Sequence, residues 1–396
     1  MNTHFNTIII GKGLVGSAAA KYLSATNKDI AIIGPDEPNE NDESIVYASH
    51  YDQARVQRII GKDAVWTKLN LDSANEYKSI ENQTGIQFHH PVGCLYVYPY
   101  GSDDYLKNAP ILSKDFNLSF KNYDNSAAIN NDFKAFRFPY NSQGLLETSP
   151  AGYINPRLLL QAQLQIYKTN NGTVIKDTVI SISHSKKLFT INTNKGDIYT
   201  AEKVLVATGS FINYLNILPQ KLQLQTKNEV IILVKVSEEY AKSVSLLPSL
   251  LYEIDDAETQ GIYMIQPVLY PDGNYYYKIG SNTNDDFYFD SLEQVQHWFK
   301  NGNADSYKPI LTKAIKKIVP DLQIDEVIIK KCIISWTAHK RPYIGETTQK
   351  DLYVAGGCNG YSAMCSDAIG SVASHLILNG KMPTGYKDDA FELVYG

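Results

Sequence analysis

Ile8-Ile9-Ile10-Gly11-Lys12-Gly13-Leu14-Val15-Gly16-Ser17-Ala18-Ala19-Ala20 decides how the rest of the chain is read. An apolar, β-branched run ends in glycines spaced G-x-G-x-x-G and then opens into an alanine-rich segment. Strand, tight turn and helix in that order are the context a dinucleotide fingerprint requires. Gly11 permits the turn, Gly13 lets the backbone approach a pyrophosphate, and Gly16 lets the helix lie close to the strand. The free N–H groups of the first helical turn, at Leu14 and Val15, and the positive end of the helix dipole are then placed for phosphate. By itself the motif leaves NAD and FAD equally open.

Outward from this motif, Thr7 to Ile10 reads as a first strand, Ser17 to Ser24 as a helix, and Asp29 to Ile33 as a second, parallel strand. In such a unit an acidic residue usually ends the second strand and binds the ribose hydroxyls. Here Gly34 holds that position, followed by Pro35-Asp36-Glu37-Pro38. Asp36 or Glu37 is within reach of a ribose, and both read equally well as a solvated turn.

Composition narrows the class. The chain has 396 residues, 43% hydrophobic and 20% charged, with a net charge of −5. That suits an ordinary globular protein of about two or three domains and gives no sign of a nucleic-acid or membrane-surface partner. The segment before the first strand is too short and polar for a signal peptide, and no apolar run approaches a membrane span, so the cytoplasm is the expected location. Cys94, Cys332, Cys358 and Cys365 form no C-x-x-C and have no zinc-type spacing with the histidines, so no metal site is expected. A second G-x-G-x-x-G and a redox C-x-x-C are both missing, which argues against a pyridine-nucleotide disulfide reductase.

Further along, Ser49-His50-Tyr51-Asp52-Gln53-Ala54-Arg55-Val56-Gln57-Arg58 is a polar cluster whose two arginines, three apart, would share a face of a helical turn. Trp66 to Ile80 reads as a helix and Phe88 to Tyr98 as one strand. Residues from about 100 to 148 read as polar and irregular. Asn155 and Pro156 suit the first turn of a helix running to Tyr167. Lys203 to Val206 reads as a buried strand ending in Ala207-Thr208-Gly209. Residues from about 225 to 325 alternate β-like runs with two helical ones. Asp351 to Gly357 is a strand running into a glycine turn, with its helix at Ser366 to Leu378.

Taken together, these pieces resemble the flavin-dependent amine and amino-acid oxidoreductases, the family of sarcosine oxidase, glycine oxidase and D-amino-acid oxidase. The resemblance spans nearly the whole chain. It rests on Gly11 to Gly16, Ser49 to Arg55, Gly152-Tyr153-Ile154-Asn155-Pro156-Arg157, Ala207-Thr208-Gly209, Tyr277-Lys278-Ile279-Gly280, Arg341-Pro342-Tyr343-Ile344-Gly345 and Ala355-Gly356-Gly357-Cys358-Asn359-Gly360. The sarcosine-oxidase branch is nearest, because of the Ser-His…Arg cluster and a cysteine before Arg-Pro.

The resemblance implies an α/β fold: a Rossmann-like FAD-binding domain from residues 1–85, 150–225 and 326–396, and a mainly antiparallel sheet domain for substrate from 86–149 and 226–325. It implies FAD, hydride transfer from a C–N bond to flavin N5, hydrolysis of the imine, and reoxidation by O2 to hydrogen peroxide. The partner is then a small-molecule amine or amino-acid derivative, and the protein a monomer or homodimer. A dehydrogenase with another acceptor, or a non-catalytic FAD-binding subunit or sensor, is the alternative.

By the same resemblance Lys278 matches the lysine that activates oxygen beside the flavin, though as a bare sequence feature it reads as a plain strand lysine. Arg55 and Arg58 match basic residues near the flavin and the substrate carboxylate. Cofactor contacts are implied for Asp36, Ser49, His50, Ala207, Thr208, Gly209, Arg341, Gly357, Asn359, Gly360 and Tyr361, and substrate contacts for Arg58, Tyr263, Tyr361 and Met364. Cys332 matches the cysteine that carries covalent flavin in sarcosine oxidase, with Lys330, Lys331, His339 and Lys340 nearby to favour its thiolate. Noncovalent FAD, as in much of the wider family, is the other reading. Two departures stand out. Met364 replaces a lysine that binds substrate carboxylate, and Asn282 replaces a histidine after the oxygen-activating lysine. A clamp short of one charge points away from sarcosine itself and toward a larger or less anionic secondary amine.

Overall fold

The computed structural model describes residues 3–27, 29–39, 44–101, 104–215, 217–254 and 256–396. Its first layer grows from the glycine motif. The strand His4–Ile10 is buried along its apolar half, and the helix Leu14–Ser24 returns over it through Ala18, Ala19 and Ala20, all fully buried. The strand pairs in parallel with Ile30–Ile33 on one side and with Ile198–Val206 on the other. Thr173–Ile175 extends the parallel set beyond Ile30–Ile33. Leu352–Gly356 adds in parallel to the end of Ile198–Val206, with Tyr343–Glu346 antiparallel to it. Val179–Ser185 and Leu188–Thr193 complete eight strands among the described residues. Parallel strands buried on both faces need continuous apolar runs, which explains why these segments read as β-branched blocks rather than alternating ones.

The helix Pro156–Thr169 starts where the Asn155 side chain accepts from the Leu158 N–H. That cap contributes about 1 kcal/mol. The helix Ser366–Asn379 packs against the first helix so closely that a Cβ on Gly370 would lie 2.5 Å from Ala18 Cβ.

A second sheet has nine strands among the described residues. Its centre is Leu224–Val236, Tyr275–Thr283 and Thr259–Leu269, paired antiparallel. The alternate residues Val230, Ile232, Val234 and Val236 face the cluster formed with the helix Tyr307–Ile318, and the intervening Glu229, Ile231 and Leu233 face a cavity. Alternation of period two thus gives this sheet one packed face and one open face.

The structure corrects several expectations. Arg55–Gln57 is a short strand paired with Gly152–Ile154, not a helical turn; the extended backbone ends before Arg58, and both arginines still line the cavity. Phe88 to Tyr98 is not one strand. Gly93, at φ +91°, breaks it into His89–His90 and Cys94–Pro99, which join different sheets. The stretch expected to be irregular holds the helices Asp104–Asp115 and Ser126–Asp132 and the strands Phe120–Tyr123 and Ser142–Glu147. Sparse but fully buried apolar residues, such as Ala109 and Ile129, are enough to hold them. The boundary drawn at 326 also shifts: Glu326–Thr337 pairs along its whole length with Leu224–Val236 and belongs to the nine-stranded sheet. Only after Thr337 does the chain return to the eight-stranded one. Among the described residues no helix is long and apolar enough to cross a membrane.

Candidate active site

The cavity has a volume of about 2970 Å3 and draws its wall from both large sheets. On the glycine-motif side its shape is set by backbone. Gly11 has φ +109°, and a Cβ there would lie 2.3 Å from the Ala207 oxygen; a Cβ on Gly16 would lie 1.8 Å from the Gly11 oxygen. At Gly13, by contrast, a Cβ would meet nothing within 4 Å. The helix begins there with no side chain capping it, so its first N–H groups are left for an outside acceptor. Thr208 Oγ1, on the same wall, is buried with no hydrogen-bond partner. An uncapped helix start, an open glycine and an orphaned hydroxyl fit the pyrophosphate of FAD, with Ala207 and Gly209 completing the backbone wall.

The missing ribose carboxylate has a steric reason. A Cβ on Gly34 would lie 2.5 Å from both the backbone N and the Cβ of Lys12. The Lys12 ammonium pairs with Asp36, which Lys176 also holds at 2.7 Å. Asp36 is therefore occupied and lies off the cavity wall, contrary to expectation. Glu37 is on the wall, bound to the Arg157 guanidinium at 2.9 Å. Ser49 and His50 also line the cavity, and burial, with Arg157, Lys12 and Arg55 nearby, pushes His50 down to about 3, so its ring is neutral.

Opposite lies a compact charge cluster. Lys278, only 1% exposed, donates to Asp52 and, at 2.9 Å, to the Ala54 oxygen. Asp52 also holds Arg55 at 2.8 Å and accepts from the Tyr270 hydroxyl at 2.8 Å. Burial, with Arg55 adding to it and Asp52 opposing, lowers Lys278 to about 8. Burial pulls Asp52 upward, but the Lys278 and Arg55 charges outweigh it and hold the carboxyl below the usual carboxylate range.

Cys332 stands on the wall of this region, in register with Glu229 on the neighbouring strand. Burial raises its thiol, with Arg55 and, more weakly, Lys278 pulling the other way. These two, rather than the sequence neighbours, are the cations that matter. Lys331 instead lies over the Trp298 ring and donates to the Gly302 oxygen. Tyr263 lines the cavity and donates to Glu229 Oε1 at 2.8 Å.

The C-terminal glycine turn supplies another wall. Asn359, fully buried at φ +53°, accepts from the Thr337 N–H at 3.0 Å and donates to the Gly357 oxygen at 2.7 Å. Gly360 and Tyr361 follow it on the wall, and the Tyr361 ring has the Arg58 guanidinium 5.3 Å and the Lys62 ammonium 4.9 Å from its centre. Met364 and Asn282 line the cavity too. Two expected cofactor contacts fall elsewhere. Gly357 is off the wall, and its absent Cβ makes room for Thr337 Cγ2, 2.4 Å from where that atom would be. Arg341 is also off the wall and binds Asp63 at 2.9 Å, beside the start of the helix Ala64–Thr84.

Sequence reasoning assigned no role to Asp52, Tyr270, Glu229 or Lys62. Glu229 leaves one trace, a lone acid at the head of the apolar run Val230 to Val234, and Asp52 another, three residues before its partner Arg55; Tyr270 and Lys62 leave none, because Asp52 and Tyr361, which they meet, lie far away in the sequence.

A family model described as FAD dependent oxidoreductase matches residues 6–376. Among curated proteins, the chain is similar to a monomeric sarcosine oxidase from Bacillus sp. (strain NS-129), 22% identical over 96% of this chain and 95% of that protein. It is also similar to an N-methyl-L-tryptophan oxidase from Yersinia pestis (strain Pestoides F), 24% identical over 53% of this chain and 55% of that one. Among solved structures, NikD, an unusual amino acid oxidase essential for nikkomycin biosynthesis, superposes with a TM-score of 0.77 at 16% identity, covering 100% of this chain and 98% of that one.

Proposed function

Since the chain belongs to the FAD-dependent oxidoreductase family, with a match across residues 6–376, we propose that it oxidises the C–N bond of a secondary amine or amino-acid derivative and passes the electrons to O2, giving an imine and hydrogen peroxide. Bound FAD would supply the two-electron acceptor that no side chain offers. The observation that carries this reading is Lys278: a lysine 1% exposed, on the cavity wall, held by Asp52 and the Ala54 oxygen. A charge fixed by protein partners in a water-poor site stabilises negative charge developing on oxygen without reorganisation.

Arg58 and Tyr361 bind the substrate's polar end in this reading, and Met364, where a second cation is expected, makes the pocket suit a larger or less anionic amine. The wall of Ile231, Leu233, Tyr263 and Tyr270 beyond Lys278 supports the same conclusion. Cys332 is the group for covalent attachment of the flavin. The test is an anaerobic panel of secondary amines and N-alkyl amino acids mixed with the holoprotein. Loss of the oxidised flavin spectrum, and peroxide when air is admitted, is the expected result. Flavin that stays oxidised with every amine overturns the reading, and reduced flavin that passes electrons to a quinone but not to oxygen makes the protein a dehydrogenase. Acid precipitation of the same preparation should leave flavin with the protein, and Cys332→Ser should release it.

A further inference from the structure

Resting on the reading that an amine is oxidised here, we propose that Tyr263 and Glu229 form a relay that takes the proton from the substrate's ammonium group. An amine gives up its α-hydrogen to an electron acceptor only when its nitrogen lone pair is free, yet most amines arrive protonated at neutral pH. The proton therefore needs an acceptor on the cavity wall. Asp52 is already shared among Lys278, Arg55 and Tyr270, and Glu37 is bound to Arg157. Asp177 accepts from the backbone N–H groups of Thr178 and Lys195. Glu253, Asp272 and Asp290 are exposed to water.

Glu229 differs from all of these. It is 7% exposed, and among the described residues its side chain takes one hydrogen bond, from Tyr263. Its other oxygen lies 3.1 Å from Lys227 Nζ but completes no hydrogen bond, and Lys227 is also paired with Asp286. Two carboxylates thus share one cation, and one proton would neutralise the group. The other groups around Glu229 are Cys332, in register across the strand pair, and Arg55 and Lys278, which act on that cysteine and on Tyr263. Burial raises the Glu229 carboxyl, which favours its holding a proton.

Tyr263 links this acid to the reacting region. Its ring lies 5.9 Å from Lys278 Nζ, and the phenol crosses the sheet over Gly280, where a Cβ would sit 2.3 Å from the phenol carbon and oxygen. In the step, the ammonium N–H bond breaks and its proton joins the Tyr263 oxygen as the Tyr263 proton passes to Glu229 Oε1. The products are a neutral amine, an unchanged tyrosine and a carboxylic acid. Charge and protons balance with no further reactant.

The pH dependence of flavin reduction tests this, using any amine that bleaches the wild-type holoprotein. With the relay, the reduction rate divided by the substrate dissociation constant is flat between the Glu229 and free-amine pKa values, because loss of one proton from the amine is matched by its gain on Glu229. In Glu229→Gln only pre-formed neutral amine reacts. The same ratio then rises about tenfold per pH unit and meets the wild type only near the amine's own pKa, a deficit of about a hundredfold two units below it. Tyr263→Phe should behave alike, and the double variant no worse than either. A second readout is infrared difference spectroscopy on binding a titratable amine that lacks an α-hydrogen: a protonated carboxyl band should appear in the wild type and be missing in Glu229→Gln with full flavin content. A Glu229→Gln profile parallel to wild type at every pH, or the carboxyl band persisting in that variant, overturns the relay while the oxidase reading stands. Failure of every amine to bleach wild-type flavin overturns both.

Discussion

Lys278 holds its charge under a constraint that pH can release. Its ammonium is buried beside Arg55, and burial lowers it to about 8, against about 10.4 for lysine in an unfolded chain. Below about pH 8 the site keeps a positive charge for oxygen; above it the charge is lost. The rate of flavin reoxidation by O2 should therefore fall as pH rises through about 8, and Lys278→Met should be slower by about a hundredfold or more with no such fall. Stopped-flow mixing of reduced protein with oxygen measures both, and a Lys278→Met variant that reoxidises normally removes the assigned role. The sign for stability is opposite. Between about pH 8 and 10.4 the unfolded chain binds more protons at this lysine than the folded one, so this contribution to stability grows as pH rises through that window. Asp52 acts at the other end: its carboxyl is lowered, so its contribution is present above the ordinary carboxylate range and lost as pH falls. At this scale Lys278, Arg55 and Arg58 stand out only through the family resemblance of the stretches they lie in; as a bare sequence feature Lys278 reads as a plain strand lysine. Asp52 lies in the same cluster as Arg55 and Arg58, yet nothing within ten residues of it points to Lys278 or Tyr270, the partners that define its chemistry.

Among the elements, the glycine-motif strand and its helix are the most legible, since the apolar run and the glycine turn lie in one short segment. In the strand Tyr275–Thr283 the reason for Gly280 is not visible in the sequence. That glycine faces Tyr263 across the register and leaves the ring room to lie on the backbone. Gly280→Ala should lift the phenol from Glu229, lower stability by about 1–3 kcal/mol through overpacking, and give the Glu229→Gln pH profile. Urea unfolding and the reduction profile check this, and an unchanged midpoint with a wild-type profile refutes it. The short strand Arg55–Gln57 shows the opposite case. Its three residues are set by pairing with Gly152–Ile154, a partner the local pattern does not announce, so a helical spacing was read where extended backbone stands.

For the molecule as a whole, the coupling of distant segments matters most. Asp367, fully buried, accepts from Lys21 at 2.7 Å, Tyr22 at 2.6 Å and Gln163 at 2.8 Å, tying together three helices. Asp367→Ala leaves Lys21, 7% exposed, without its counter-charge. The expected loss is about 3–5 kcal/mol, read as a lower denaturation midpoint, and a loss below about 1 kcal/mol would contradict it. The sequence could announce neither this network nor the true course of Glu326–Thr337, because a strand's choice of sheet depends on which edge is open once the rest has formed.

The packing of Ser366–Asn379 on the first helix also bears on how the chain finds its fold. Lys21 and its partner Asp367 are 346 residues apart. The strand Ile198–Val206 likewise pairs with Leu352–Gly356 across a long stretch of chain. Closing loops of that length costs entropy before the contacts repay it, so this wall of the nucleotide cradle is a long-range, slow-forming part of the fold.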